Sequence, residues 1–185
     1  MSKRADLPAK KQRLRELVSR RSLLRNRDFV LSSGRPSRFF FDMKRTLLDP
    51  EGAVLAGELL FDMIRDEDVD AVGGLETGAI PIVTLLCAQS WPHKPITGFF
   101  VRKEAKGHGT DQRIDGLLEP ASRVILFEDV TTTGGSVMQA AEEARRRDCE
   151  IVKIISIVDR LEGAADNFAR AGIAFEALFT WRDFS

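Results

Sequence analysis

Two adjacent carboxylates, Glu128 and Asp129, come shortly before a turn made of hydroxyl side chains and glycines. The residues of the turn are Thr131, Thr132, Thr133, Gly134, Gly135 and Ser136. Glycines let backbone N–H groups approach a ligand closely, and a helix that begins at such a turn adds partial positive charge, which suits a phosphate. Carboxylates would repel a bare phosphate, but they accept hydrogen bonds from sugar hydroxyls or hold Mg²⁺. The stretch therefore predicts a site for a phosphorylated sugar.

The neighbouring segments indicate how this turn is held. The apolar residues 124–127 predict a buried parallel strand, and residues 137–147 have the spacing and composition of a helix. Predicted strands and helices alternate along most of the chain, including a helix capped by Asp49 and a last strand over residues 175–181. This alternation favours an α/β fold with a mainly parallel sheet flanked by helices, whose ligands bind at the carboxyl ends of the strands.

Length and composition limit the possible classes. The 185 residues are 43% hydrophobic and 30% charged, which is typical of one globular domain that spans residues 1–185. No apolar run approaches the roughly 18 residues that a membrane span needs, so we expect no membrane association. We also expect a cytoplasmic protein, because the start of the chain lacks a secretory signal and Cys87 and Cys149 have no metal-ligand spacing.

The charge is unevenly distributed although the formal net charge is zero. The first 27 residues contain ten Lys and Arg against Asp6 and Glu16, a net charge of +8 that the rest of the chain balances. Such a segment is compatible with a nucleic-acid arm, a membrane-surface helix or a targeting sequence. It is also compatible with an amphipathic helix whose apolar stripe contains Leu14, Leu17, Val18 and Leu24, or with a field that attracts anionic substrates. We favour the amphipathic helix and expect nucleic acid not to be a partner.

The segment 124–136 resembles the phosphoribosyl pyrophosphate (PRPP) signature of type I phosphoribosyltransferases. Four further segments resemble those of one member family, the orotate phosphoribosyltransferases, and they follow that family's order along the chain. They are the hood LSSGRPSRFFFD (31–42), the pyrophosphate loop GGLETGAIP (73–81), the catalytic loop FVRKEAKGHGT (100–110) and the strand end IVDRLEG (157–163).

The resemblance implies the type I phosphoribosyltransferase fold with a small N-terminal hood. Residues 1–45 would form an N-terminal helix and the hood, and residues 46–185 an α/β core with a flexible loop at about 103–115. The implied reaction transfers the phosphoribosyl group of PRPP to orotate, which gives orotidine 5′-monophosphate and pyrophosphate in pyrimidine biosynthesis. The family also implies Mg²⁺, held mainly by PRPP and water, and a homodimer in which the loop of one subunit reaches the site of the other.

The same resemblance assigns roles to individual residues. Asp129, Lys103, Lys106 and His108 would be catalytic. PRPP would be bound by Arg102, Glu128, Asp129, Glu76, Thr77 and Gly78, together with the turn residues 131–136. Orotate would be bound by Phe40, Phe41, Thr132 and Arg160. Because side chains alternate along a strand, at least one residue of the run Phe39, Phe40 and Phe41 must point away from the ligand.

The chain departs from many relatives at two positions. At the start of the SGR turn, where they have a lysine, this chain has Ser32 and Ser33, and the pyrophosphate loop has Thr77 and Gly78 where some have a lysine. Arg35 is a candidate for the lost charge, so that Arg35→Ala should raise the KM for PRPP or orotate; an unchanged KM for both would contradict this.

Other functions are compatible with the motifs. The chain could act on another base, such as a purine, or sense PRPP as a regulator without catalysis. It could also work only beside a decarboxylase. Activity measured with a panel of bases would identify an enzyme for another base, and nucleic-acid binding without turnover would support the regulator.

Overall fold

The computed structural model describes residues 6–30, 36–104 and 113–185. The chain starts with helix α1 (Leu7–Leu17) and a π-helical turn (Val18–Ser22). A hairpin of two antiparallel strands, β1 (Leu23–Val30) and β2 (Pro36–Phe41), comes next. This hairpin corresponds to the predicted hood, and the predicted SGR turn with Ser33 and Arg35 lies outside the described residues.

The remaining elements alternate as the sequence predicts. In chain order they are α2 (Lys44–Leu47), α3 (Pro50–Ile64), β3 (Ala71–Gly73), α4 (Ala79–Ser90), β4 (Thr97–Val101), β5 (Ile114–Gly116), β6 (Arg123–Thr131), α5 (Gly135–Arg145), β7 (Glu150–Asp159), α6 (Ala164–Arg170) and β8 (Ala174–Thr180). Helix α3 begins as predicted, because the Asp49 carboxylate accepts a hydrogen bond from the Gly52 N–H and Pro50 occupies the first turn.

Within the described residues, six strands form one sheet in the order β5–β4–β3–β6–β7–β8. All neighbours are parallel except β4 and β5, so the prediction of a mainly parallel sheet is confirmed. From β3 the chain continues on one side to β4 and later on the other side to β6. Such a switch point leaves a crevice at the carboxyl ends of the strands, where ligands of open α/β sheets bind.

Helices cover both faces of the sheet. Alternate residues of β6 pack on opposite sides: Ile125 and Phe127 join one core with α1, α3 and α4, whereas Val124 and Leu126 join a second core with α5 and α6. All four of these side chains are fully buried. A continuous apolar run is expected for a parallel strand that is covered on both faces.

The basic N-terminal segment packs along α3. Leu14, Leu17 and Val18 are completely buried, which confirms the amphipathic helix over Leu7–Leu17. On the exposed side, Lys10 pairs with Glu58 at 2.9 Å and Arg13 with Glu51 at 2.7 Å. The cations of this segment therefore partly neutralise acids of the same chain.

Two details of the sequence interpretation are wrong. Leu24 belongs to β1 and not to the helical stripe, because the helix ends before it and the hairpin begins at Leu23. The last strand ends at Thr180, and a 3₁₀ turn (Trp181–Asp183) follows, because the Asp183 carboxylate accepts hydrogen bonds from the N–H and hydroxyl of Thr180. Among the described residues, no helix is long and apolar enough to cross a bilayer.

Candidate active site

A cavity of about 450 Å³ lies at the switch point of the sheet, between the carboxyl ends of β3 and β6. Its volume lies within the range of small-molecule sites. The predicted residues that line it are Phe40, Phe41, Glu76, Thr77, Gly78, Lys103, Glu128, Asp129, Thr131, Thr132, Thr133, Gly134, Gly135, Ser136 and Arg160. Lys106 and His108 lie outside the described residues, and Arg102 does not line the cavity.

The hydroxyl- and glycine-rich turn connects β6 to the N-terminus of α5, as the sequence predicts. Gly134 has a φ of 85°, a left-handed conformation that favours glycine. A Cβ atom at this position would lie 2.3 Å from the Phe168 ring, so packing against α6 also requires glycine. The next residue, Gly135, has open space around it, with Thr133 Oγ1 as its nearest neighbour at 4.0 Å.

The turn is anchored from two neighbouring segments. The Asn167 side-chain amide of α6 donates a 2.8 Å hydrogen bond to the Thr133 carbonyl. The Arg160 backbone N–H donates to the Thr131 carbonyl at 2.9 Å. These two carbonyls therefore point toward their protein donors and not into the cavity. The first N–H groups of α5 have no intrahelical acceptor, as at the N-terminus of every helix. The geometry suits an anion.

The two acids at the end of β6 are costly to ionise. Burial, together with the negative charge of Asp129, raises the pKa of Glu128 to about 8, although Lys103 acts in the opposite direction. Within the described residues, Glu128 Oε2 is buried without a hydrogen-bond partner. Burial also raises the pKa of Asp129, and this effect is opposed by the Val130 N–H, which donates to Asp129 Oδ1 at 2.8 Å, and by Lys44. Such oxygens are ready to accept hydrogen bonds from hydroxyl donors or to face a hard cation.

The loop between β3 and α4 forms the opposite wall. A Cβ atom on Gly78 would lie 2.5 Å from Asp129 Oδ1, so the absence of a side chain lets this loop approach the acid closely. Glu76 Oε1 accepts a 2.9 Å hydrogen bond from the Lys103 N–H, and the Glu76 N–H donates to the Val101 carbonyl at 2.8 Å. The loop and the start of the segment that follows β4 are therefore held together.

The structure separates Arg102 from the other predicted PRPP ligands. Its guanidinium pairs with Asp115 of β5 at 3.1 Å. A residue that the sequence analysis did not consider, Arg113, donates to the carbonyls of Arg102 and Lys103 at 3.0 and 2.9 Å and to Glu143 of α5 at 2.9 Å. Arg113 thus ties both ends of the segment 102–113 to the helix that starts at the phosphate-type turn.

Arg160 and the hood form the other end of the cavity. The Arg160 guanidinium donates to Glu162 at 2.7 Å, to Ser37 Oγ at 3.0 Å and to the Phe39 carbonyl at 3.4 Å. Within the described residues, these bonds use three of the five N–H groups of the guanidinium. One N–H on each terminal nitrogen remains, and such a pair suits a carboxylate.

The three phenylalanines of β2 do not face the same way. The Phe40 ring lines the cavity and stacks on Phe29 with 5.6 Å between ring centroids. Phe41 also reaches the cavity lining, but it is only 3% exposed and its ring packs edge-on against Phe184 at 5.2 Å. Phe39 points away from the cavity and stacks on Trp181. The expected alternation is confirmed for Phe39.

Four lining residues were missed by the sequence analysis: Lys44, Leu75, Val130 and Gln139. Gln139 had a recognisable signal, since it follows Ser136 by three residues and lies one turn along the same helix face. Lys44 had none, because it lies on the short helix α2 and reaches the cavity only through the tertiary fold. Among the described residues, no cluster of three or more His, Cys, Asp or Glu side chains is arranged to hold a metal.

Comparison with known proteins gives consistent results. Residues 45–178 match the phosphoribosyl transferase domain family. The orotate phosphoribosyltransferase of Rhodopseudomonas palustris (strain BisB5) is 45% identical over 181 residues, which cover 95% of this chain and 96% of that protein.

Solved structures are similar over the same extent. The crystal structure of the orotate phosphoribosyltransferase of Mycobacterium tuberculosis H37Rv in complex with Fe(III) dicitrate has a TM-score of 0.83 and 34% identity, and the match covers 95% of this chain and 99% of that one. A structure of the same enzyme in complex with PRPP has a TM-score of 0.79 and 32% identity, with 95% and 98% covered.

Proposed function

The chain belongs to the orotate phosphoribosyltransferase family of the phosphoribosyl transferases, and we propose from this premise that it transfers the phosphoribosyl group of PRPP to orotate. The products are orotidine 5′-monophosphate and pyrophosphate, and the reaction belongs to pyrimidine biosynthesis. One observation carries the proposal: a cavity joins a phosphate-type turn at one end to a stacked arginine at the other, and two N–H groups of this arginine have no acceptor among the described residues. PRPP and orotate present a phosphate and a carboxylate to match these ends.

The turn residues 131–136 receive the 5′-phosphate in this proposal. Gly134 and Gly135 let the backbone approach the phosphate, and the N-terminus of α5 contributes partial positive charge. Thr132, Thr133 and Ser136 add hydroxyl groups as further donors. The anchoring of Thr131 and Thr133 through their carbonyls keeps the turn in place before the phosphate arrives.

Asp129 and Glu128 act on the ribose. Their oxygens accept hydrogen bonds from the ring hydroxyls, which gives the unpartnered Oε2 of Glu128 a donor. As pyrophosphate leaves, the sugar develops positive charge, and the negative charge of Asp129 stabilises it. Since the protein forms no covalent bond in this transfer, positioning and electrostatic stabilisation supply the rate enhancement.

The pyrophosphate is held on the side of the β3–α4 loop. Glu76, Thr77 and Gly78 line its path, and Lys103 contributes a positive charge to the same cavity. Lys44 is a further cation in the lining and stands in for the lysines that the hood and the pyrophosphate loop lack. We assign Lys106 and His108 to the pyrophosphate by resemblance to the family, but not Arg102, whose guanidinium pairs with Asp115 outside the cavity lining.

Orotate occupies the end formed by the hood. Its ring stacks on Phe40, and its carboxylate accepts two hydrogen bonds from the remaining N–H groups of Arg160. Thr132 lies between the two ends and offers a hydroxyl to the base. Phe41 contributes through its contact with the cavity wall, since most of its ring is buried in the core.

The acid pair also fits a magnesium ion that accompanies PRPP. Mg²⁺ prefers phosphate oxygens and water, so we propose that it would be held mainly by PRPP and water, with Asp129 and Glu128 as the nearest carboxylates. When bound, the ion would neutralise the charge of the leaving pyrophosphate.

We further propose a homodimer in which the loop at about 103–115 of one subunit reaches the cavity of the other through its middle part, which contains Lys106 and His108. In this proposal residues 1–185 form one domain, and residues 1–45 are its helix and hood. Mixing two inactive variants, Lys106→Ala and Asp129→Asn, tests this arrangement. Each hybrid dimer would unite an intact loop with an intact acid at one of its two sites. An equal mixture, about half of which is hybrid, would therefore recover about a quarter of the activity. No recovery in verified hybrids would contradict loop sharing.

The two free cysteines, Cys87 and Cys149, support a reducing cytoplasm as the location.

The first experiment is the loss of orotate absorbance when PRPP and Mg²⁺ are added. We expect turnover that stops with a chelator and falls about 100- to 1000-fold in Asp129→Asn. The matched control is Asp68→Asn, since Asp68 is exposed near the start of β3, away from the cavity. Absence of turnover with orotate, but turnover with another base, would redirect the function to that base.

A further inference from the structure

The Arg160 guanidinium is one layer of a stack of side chains. Its Cζ atom lies 4.1 Å from the centroid of the Phe39 ring. On the other face of Phe39 lies Trp181, with 3.8 Å between ring centroids and only 9° between the ring planes. The result is a stack of three layers, formed by Arg160, Phe39 and Trp181, which we call the Arg160 stack. It extends from the cavity to the C-terminal segment.

Phe39 fixes the edge of the guanidinium as well as its face. The Phe39 carbonyl accepts from Arg160 Nη1, and Ser37 Oγ accepts from Arg160 Nη2. Ser37 is itself bound to residue 39, because its hydroxyl donates to the Phe39 carbonyl at 2.8 Å. A displacement of Phe39 would therefore disturb the stacking and two of the three hydrogen bonds that orient Arg160.

Trp181 has contacts of its own on the side away from Arg160. It opens the 3₁₀ turn that Thr180 and Asp183 cap reciprocally, with the Asp183 carboxylate 2.7 Å from the Thr180 N–H. Arg25 of β1 lies over its indole ring at 5.8 Å. The C-terminal segment therefore presents a fixed aromatic surface to Phe39.

We propose that Trp181 is a positioning residue for the orotate subsite and that it acts through Phe39 to hold the Arg160 guanidinium ready before orotate binds. The inference rests on the proposed role of Arg160 toward the orotate carboxylate. An arginine side chain loses conformational entropy when it is fixed in one rotamer. Because the stack already fixes Arg160 in the folded protein, this entropy is not lost when orotate binds. Arg160 contacts the turn at the phosphate end through its backbone N–H, and the stack holds only its side chain, so the effect is confined to orotate.

The test is a comparison of KM values for the two substrates. Trp181→Leu should raise the KM for orotate about fivefold and leave the KM for PRPP within about twofold, whereas Trp181→Phe, which keeps a ring in the stack, should stay close to the wild type. The control is Phe184→Leu, because Phe184 packs on Phe41 and Phe179 in the same aromatic cluster. It should lower Tm without a selective effect on orotate.

A double-mutant cycle separates the positioning role from general damage. In an Arg160→Lys background, which lacks the planar guanidinium, Trp181→Leu should change the KM for orotate less than twofold. Phe39→Leu provides a second variant that breaks the stack if Trp181→Leu folds poorly, and it should show the same selectivity. An equal rise in both KM values, or an equal effect in both backgrounds, would overturn the inference. Lack of orotate turnover by the wild type would instead refute the proposed function.

Discussion

The end of the cavity proposed for the phosphate (the phosphate end) is built from one continuous stretch of chain, whereas the end proposed for orotate (the orotate end) is assembled from distant segments. Strand β6, the turn and the start of α5 follow one another without interruption. At the other end, Arg160 bonds to Ser37 and Phe39, which are 123 and 121 residues away in the sequence, and Trp181 joins from the C-terminal side.

This difference determines how each end is specified. The phosphate end uses backbone N–H groups, so its shape depends mainly on local conformation, above all at Gly134. The orotate end uses side chains, whose positions depend on how the hood, β7 and the C-terminal turn pack together. Changes at the first end should act through the backbone of one turn, and changes at the second through the arrangement of several elements.

The largest expected effect concerns the two adjacent glycines of the turn. Gly134→Ala places a Cβ atom 2.3 Å from Phe168 and in a left-handed conformation, so we expect a loss of about 3 kcal/mol in the free energy of unfolding. Gly135→Ala has open space and should change stability by less than about 0.5 kcal/mol. Chemical denaturation of both variants measures the difference, and similar losses would show that the turn is not governed by the conformation of Gly134.

Arg160→Lys examines the orotate end alone. Lysine lacks the planar pair of donors and cannot stack on Phe39 in the same way, so the KM for orotate should rise about 20-fold. The KM for PRPP should stay within about twofold, because the turn is anchored by the backbone N–H of Arg160, which the substitution keeps. Initial-rate kinetics with each substrate varied in turn provide the measurement, and exposed Arg182→Lys serves as the control. An equal rise for PRPP would mean that the two ends are coupled.

Glu128, which lies between the two ends of the cavity, makes the free energy of unfolding depend on pH. Its pKa is raised from the usual 4.5 to about 8 in the folded chain, so its contribution to stability is present below pH 4.5 and is lost as the pH rises toward 8. Over this range the ligand-free protein should lose about 1.5 kcal/mol relative to Glu128→Gln, less than the full shift implies because the cavity admits solvent.

The measurement for Glu128 is the Tm of both proteins from pH 4.5 to pH 8.5 without substrates. The Glu128→Gln variant should be the more stable of the two at the high end. Parallel profiles would contradict a buried, protonated carboxyl at this position.

The smallest effect is expected for Lys44, which lies where the hood meets the acids. Lys44 pairs with Asp42 at 2.8 Å and is partly exposed, so its charge is screened. Lys44→Met should raise the KM for PRPP about threefold, with little change for orotate. The neighbouring Arg45→Met provides the control, because Arg45 is exposed and does not line the cavity. If both variants raised the KM for PRPP equally, the rise would be due to the loss of overall positive charge and not to a contact of Lys44.

Much of the fold was predictable because its signals are local. The cap at Asp49 depends on residues within one turn of each other, and the apolar run 124–127 is long enough to mark a strand covered on both faces. Where local signals conflict, prediction was less successful. Leu24 has an apolar side chain at helical spacing, but the hairpin register with Phe40 places it in a strand. Trp181 extends an apolar run, but the Asp183 cap ends the strand before it.

The sequence alone determined the order of the elements, the turn at the end of β6 and the acids beside it, because each depends on residues that are close along the chain. Only the tertiary structure decided that Phe39 is the phenylalanine that points away from the cavity, that Lys44 joins the lining and Arg102 does not, and that Trp181 stacks on the ring that Arg160 contacts. These contacts join segments more than a hundred residues apart in the case of Arg160. They exist only after the hood and the C-terminal turn pack on the sheet, since the positions of side chains across a core follow from packing and not from local conformational preference.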